Sequence, residues 1–262
     1  MKVEINLTLS GGGMKGVAHV ALLEKLNELS VTPKSIAGSS SGALVAALYA
    51  SGMKIRDILS FFKSTPLFKV AYMATGKPGF FDSWRYRSVL ESFLPTTFED
   101  LKLPIFIAAT NLQDCKVQYF NSGELITPLI ASCALPPIYS PVLIENQWFA
   151  DGGIIDNYPL QPFLKKEEFL LGSYVVIPSV RPKESLNNTL KVSNHASSLL
   201  LHAANEHKFD LADQSIIFPI GKFRSFDSSQ VDDIYKAAKD HLDHLEEELL
   251  KNLGKTVSPK IS

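Results

Sequence analysis

Three glycine-punctuated segments arrive in a fixed order: Gly11-Gly12-Gly13-Met14-Lys15-Gly16, then Gly38-Ser39-Ser40-Ser41-Gly42, then Asp151-Gly152-Gly153. Each follows a short apolar run, so each marks a point where the chain leaves a strand. The middle segment fits G-x-S-x-G, in which a serine sits on a sharp strand-to-helix turn with its hydroxyl in the open. Of its three serines only Ser40 has glycine at both minus two and plus two (Gly38 and Gly42), which makes Ser40 the nucleophile candidate.

The surrounding pattern predicts an α/β protein with a mainly parallel sheet. A strand over 3–9 leads through the first glycine segment into a helix over 17–29, with Val20, Leu22, Leu23 and Leu26 apolar. A second strand over 35–38 leads through the Ser40 turn into a small-residue helix over 43–51. Further strands are expected over 105–109, 117–120, 142–145, 147–150, 174–177 and 216–220, with a helix over 124–134 that Pro136-Pro137 ends. Within 228–253 the spacing of Ile234, Ala238, Leu242, Leu245 and Leu249 predicts an amphipathic helix packed on the domain. Its polar face mixes acids and lysines, which argues against a membrane-surface helix. The polar stretch 182–198 reads as a mobile loop. One domain is expected over 1–262, with its motifs in about 3–160.

Lys plus Arg (26) and Asp plus Glu (27) leave a net charge of -1, which gives no global field for nucleic acid. Cys115 and Cys133 lack metal-ligand spacing and read as reduced, mostly buried thiols; no metal and no cofactor are expected. Glu4 and Asn6 interrupt what would be the apolar core of a secretory peptide, and no run nears the ~20 apolar residues that span a bilayer. A cytoplasmic protein, at most peripheral to a membrane, is expected.

Gly11, Gly12 and Gly13 let a backbone approach a ligand closely and aim several amides into one site, a nest suited to an anion. Alone, Gly11-x-Gly13-x-x-Gly16 also fits a dinucleotide-binding turn, but that unit should close its second strand on an Asp or Glu, where this chain has Gly38-Ser39-Ser40. Lys15-Gly16 lacks the Ser or Thr of a P-loop. A serine needs a neighbour to accept its proton. Asp151, at the end of the run 147–150 with Gly152 and Gly153 leaving room beside it, is the better-placed partner, although Asp-Gly-Gly alone would suit a hairpin turn. The six histidines read as surface or satisfied core residues. A Ser-Asp-His order with His195 or His202 stays open as an alternative.

With these residues in hand, the chain resembles the patatin-like phospholipase family. The likeness rests on the three segments, in the family's order, supported by Ala131-Ser132-Cys133-Ala134-Leu135-Pro136-Pro137 and Asn157-Tyr158-Pro159. It implies a three-layer α/β/α sandwich, a Ser40–Asp151 dyad without histidine, oxyanion amides from Gly11, Gly12 and Gly13, and hydrolysis of lipid esters: phospholipids, lysophospholipids or acylglycerols. Lys15 stands where arginine is frequent. It keeps a charge near the pocket without bidentate hydrogen bonding. The partners implied are a lipid or ester substrate and transient contact with a membrane surface. A lipid-binding module without turnover is the rival from another class. The segment 66–84, rich in aromatic residues between glycines and prolines, reads either as ordinary core or as a lid over an acyl groove.

Overall fold

The computed structural model describes residues 3–65 and 73–257. Among these residues eight strands form one sheet: β1 (Val3–Leu9), β2 (Val31–Ser39), β3 (Ile105–Asn111), β4 (Lys116–Phe120), β5 (Val142–Ile144), β6 (Gln147–Asp151), β7 (Leu170–Tyr174) and β8 (Gln214–Ile217). The order β5-β6-β3-β2-β1-β7-β8 runs across it, with β4 also paired to β3. The pairs β1–β2, β1–β7, β2–β3 and β7–β8 are parallel; β3–β4, β3–β6 and β5–β6 are antiparallel. The expected mixed α/β architecture is therefore present, with its parallel part running from β3 through β2, β1 and β7 to the β8 edge.

Both faces of the centre are covered. Along β1 the alternating sets Ile5, Leu7, Leu9 and Asn6, Thr8 are all buried, the signature of a strand packed on two sides. The polar set is satisfied: Thr8 Oγ1 donates to the Pro159 carbonyl at 3.1 Å, and Ser35 Oγ donates to Asn6 Oδ1 at 2.7 Å.

Among the described residues seven α-helices accompany the sheet: α1 (Val17–Glu28), α2 (Ser41–Ala50), α3 (Ile55–Ser64), α4 (Arg87–Glu91), α5 (Ile126–Ser132), α6 (Thr189–Asn205) and α7 (Val231–Val257). α7 packs on α1, burying Ile234, Ala238, Leu242, Leu249 and Leu253. Each such leucine is worth about 1.5–3 kcal/mol of apolar burial. Lys25 on α1 reaches Asp243 at 2.6 Å and Glu246 at 3.0 Å, so the mixed polar face is used for registration between the two helices.

Several sequence expectations need correction. The stretch 182–198 is not a loop throughout, since α6 begins at Thr189, where the Asn188 side chain caps it by accepting the Lys191 amide at 3.0 Å. Its Ser and Asn content hid that start. α3, which buries Ile58, Phe61 and Phe62, was not anticipated. The strands expected over 174–177 and 216–220 sit earlier, at Leu170–Tyr174 and Gln214–Ile217. Cys115 is exposed rather than buried, in the β3–β4 turn at φ 52, and Cys133 is half-buried. No helix among the described residues is long and apolar enough to cross a membrane.

Candidate active site

Strand register places the site. Ala108 pairs with both Ser39 and Tyr119, and Ala109 pairs with both Gln118 and Asp151. A strand residue has two edges, so β4 occupies one edge of β3 while β2 and β6 share the other, end to end. β2 runs parallel to β3 and stops at Ser39; β6 runs the opposite way and stops at Asp151. Their ends meet at adjacent residues of β3, which brings Ser40 beside a carboxylate 111 positions away in sequence.

Between β2 and α2 the backbone turns sharply. Ser40 has φ 51 and ψ -124, a conformation that costs a non-glycine residue on the order of 1–3 kcal/mol and is met in nucleophile turns. The neighbours must be small. A Cβ on Gly38 would stand 2.5 Å from the Ala43 amide nitrogen, one on Gly42 would overlap the Leu9 carbonyl, and one on Gly16 would stand 2.7 Å from Ser41 Oγ. The Ser40 amide donates to Ser132 Oγ at 2.9 Å, which ties the turn to the end of α5.

The half-buried Ser40 hydroxyl donates to Asp151 Oδ2 at 2.7 Å. Asp151 is 3% exposed, and its other oxygen accepts the Gly153 amide at 2.8 Å. Its backbone is fixed by a hydrogen bond from its amide to the Ala134 carbonyl at 3.1 Å and by Thr110 Oγ1 on its carbonyl at 2.9 Å. Burial pushes the carboxyl from its ordinary 3.8 up to about 7, against the pull of the Ser40 and Gly153 hydrogen bonds. Desolvation wins because only two donors replace the water shell of the anion. Gly152 and Gly153 are required here by space, since a Cβ on either would run into the Ala108 carbonyl or Asn157 Oδ1.

The first glycine segment folds over the same spot. Gly13 has φ 60, and a Cβ there would overlap the Ser225 carbonyl, so glycine is needed twice over, for conformation and for space. The loop is clamped at both ends: the Gly11 amide donates to the Asn157 carbonyl at 3.2 Å, and the Met14 amide donates to the Ser225 carbonyl at 2.8 Å. Asn157 Nδ2 also reaches the Gly11 carbonyl at 3.5 Å. Between those clamps the amides of Gly12 and Gly13 have no acceptor among the described residues, and both glycines border the cavity that holds Ser40 and Asp151.

That cavity measures about 180 Å³ and is walled largely by apolar side chains, among them Leu44, Phe61, Leu129, Ile130 and Val176. Of the segment 66–84 suspected as a lid, 66–72 lies outside the described residues. Of the rest, Ser83 lines the cavity while Met73, Phe80 and Trp84 are exposed. Phe81 packs on the Tyr139 ring, which also lines it.

The histidines fall elsewhere. His19 is fully buried between Ser173 Oγ and the Ser10 carbonyl and stays neutral, with burial pulling its pKa to about 4. His202 packs with tilted rings against Tyr174 and Phe209. His195 lines a separate cavity, together with Lys15. Neither His195 nor His202 lines the cavity of Ser40 and Asp151. Ser132, part of the segment 131–137, has a role in holding Ser40 that no spacing signal reveals, because its contact with Ser40 joins residues 92 apart.

Residues 7–164 match the family model described as patatin-like phospholipase. Over 162 residues the chain is 29% identical to an uncharacterized NTE family protein of Mycobacterium tuberculosis, covering 60% of this chain and 45% of that protein. It is 28% identical over 177 residues to the lysophospholipase NTE1 of Cryptococcus neoformans, covering 61% of this chain and 10% of that one. The matched part thus spans less than half the length of these relatives. Among solved structures, VipD from Legionella pneumophila shares the fold at a TM-score of 0.51 and 14% identity, over 100% of this chain and 81% of that one. With the family model matched across more than half of its length, the chain belongs to the patatin-like phospholipase family.

Proposed function

We propose that this chain is a serine lipid acyl hydrolase that cleaves carboxylic esters of phospholipids, lysophospholipids or acylglycerols through Ser40 and Asp151. The observation that carries the reading is the 2.7 Å hydrogen bond from Ser40 Oγ to Asp151 Oδ2 at the head of an apolar cavity. A carboxylate at its ordinary pKa is a feeble base, whereas one raised to about 7 is matched to neutral pH. Asp151 takes the Ser40 proton as Oγ attacks the ester carbonyl. The amides of Gly12 and Gly13 receive the oxyanion, with Gly11 anchoring the loop. Collapse of the intermediate expels the alcohol, which takes the proton back from Asp151. Water, deprotonated by the same carboxylate, then attacks the acyl-serine; collapse releases the fatty acid, and Asp151 returns that proton to Ser40 Oγ.

The lysophospholipase name carried by the Cryptococcus relative supports a lipid ester as substrate, and the apolar wall suits an acyl chain. Substrate would reach the cavity by transient contact with a lipid surface. The test is labelling by a fluorophosphonate, which requires an activated serine, together with turnover of a short-chain ester. Wild type is expected to label and turn over, and Ser40→Ala to do neither while keeping its circular dichroism spectrum. Turnover surviving in Ser40→Ala would overturn the reading, and an inert wild type would favour a lipid-binding module.

A further inference from the structure

A second cavity, of about 390 Å³, adjoins the first. Asn194, Ser198, Ser225 and Phe226 line both, so the two share a wall built by α6 and the strip that clamps the glycine loop. Its chemistry is different. Lys15, Arg181, Lys191 and Arg224 contribute four cations, against the single carboxylate of Asp227. That carboxylate is already engaged, by Arg224 at 3.7 Å and by the Ser229 amide and hydroxyl.

Lys15 is the unusual member. It is 4% exposed, and its ammonium makes no hydrogen bond or ion pair to any described residue. A buried ammonium without an anion is costly. Burial and the nearby Arg181 guanidinium pull its pKa down to about 8, which leaves it mainly charged at neutral pH. Arg181 is held in place from behind, with Nη2 donating to the Gly221 carbonyl at 2.9 Å. Lys191 projects from the first turn of α6, steadied by Asn187 Oδ1 at 2.9 Å. Lys15 lies two residues beyond Gly13, so one loop borders both cavities.

We propose that the second cavity is an anion subsite that takes the phosphate of a lipid head group while the ester lies at Ser40, selecting net-anionic glycerophospholipids over choline-type zwitterions. This rests on the hydrolase reading and goes beyond it by naming the head-group class. Phosphate offers several acceptor oxygens to a guanidinium fork and two ammonium groups. A choline ammonium would need a free carboxylate or an aromatic cage, and four cations against one engaged acid repel it. Arg181, Lys191 and Arg224 all lie beyond the part of the chain that matches the family model, residues 7–164.

The test compares kcat/KM on lysophosphatidylglycerol and lysophosphatidylcholine of one acyl chain, both presented in the same neutral detergent micelles, for wild type, Arg181→Gln, Lys191→Gln and Arg181→Lys. Wild type should favour the anionic lipid by roughly tenfold or more. Both glutamine variants should narrow that ratio by at least about threefold, and Arg181→Lys should recover part of it. Lys191 is on an exposed face of α6, which keeps the test usable if Arg181→Gln fails to fold. Glycerol 3-phosphate serves as the soluble probe. Competitive inhibition that weakens in parallel with the lipid ratio supports the subsite, whereas inhibition with an unmoved ratio assigns the cavity to free phosphate and overturns the proposal. A wild-type ratio near one, with neutral esters still cleaved, refutes the proposal alone. No turnover of any ester refutes the hydrolase reading and the proposal with it.

Discussion

Replacing Asp151 by asparagine should make the protein inactive and, above neutral pH, more stable. In the folded chain burial lifts the carboxyl from 3.8 to about 7, while in the unfolded chain it ionises at its ordinary value. Stability associated with this group is therefore full below the unfolded value, falls as pH rises, and is lost once pH passes the folded value. At about 1.4 kcal/mol for each tenfold change in proton affinity, the displacement is worth ~4 kcal/mol. Solvent screening does little to reduce it, since Asp151 is 3% exposed. Asparagine has nearly the same shape and can still accept the Gly153 amide, yet carries no charge to desolvate. The stability difference between variant and wild type should be near zero at about pH 4, grow through the acid range, and level off above about pH 7 at no more than ~4 kcal/mol.

Urea unfolding of both proteins at a series of pH values measures that difference directly. The ester hydrolysis rate of wild type, followed on the same samples with a substrate that does not titrate, should rise through an apparent pKa near 7, because in the proposed mechanism the ionised carboxylate is the base. Both curves rise with pH and level off above about pH 7, because both follow the same proton. A stability difference that does not vary with pH, or a rate that stays on its plateau down to about pH 5, would refute the reasoning.

Two further substitutions probe the scaffold of the site. Gly13→Ala adds a Cβ that overlaps the Ser225 carbonyl at a residue with φ 60, so it should lower kcat by roughly 10²-fold or more through displaced loop amides; a Michaelis–Menten comparison showing KM alone affected would contradict this. Ser132→Ala removes the acceptor of the Ser40 amide and should cost about 1–3 kcal/mol in thermal or chemical unfolding, with fluorophosphonate labelling slowed rather than abolished; full-rate labelling would show that the contact does not position the serine.

Those elements of the site that depend on local chain geometry were legible in the sequence. A turn that needs glycine on both sides of a serine announces itself, and so does a glycine run after a strand; α/β alternation followed from periodicity. Of the contacts closed by tertiary packing, the Ser40–Asp151 pair was implied by the family resemblance, and the rest were not legible. The hydroxyl of Ser132 and the Gly11 clamp by Asn157 join residues 92 and 146 apart, and no spacing rule reaches that far. α6 was missed because its Ser and Asn content resembles a loop, although one cap residue and the leucines that follow suffice to start a helix. The basic cavity escaped because its cations come from four separate stretches of a chain whose charges sum to -1.

The end-to-end seating of β2 and β6 on one edge of β3 makes the distance between Ser40 and Asp151 a property of that single strand. Whatever the chain does between α3 and β3, or between β4 and β6, the two side chains are spaced by consecutive rungs of the same hydrogen-bond ladder. Loops there are free to lengthen, shorten or reshape the apolar wall of the cavity, as a workpiece can be changed while the jaws of the vice stay set. A slip of one residue in either strand would instead move its end by about 3.4 Å and turn its side chain to the opposite face of the sheet. Variation in this architecture is thus channelled: what surrounds Ser40 and Asp151 can change gradually, and the pair itself is kept or lost in a single step.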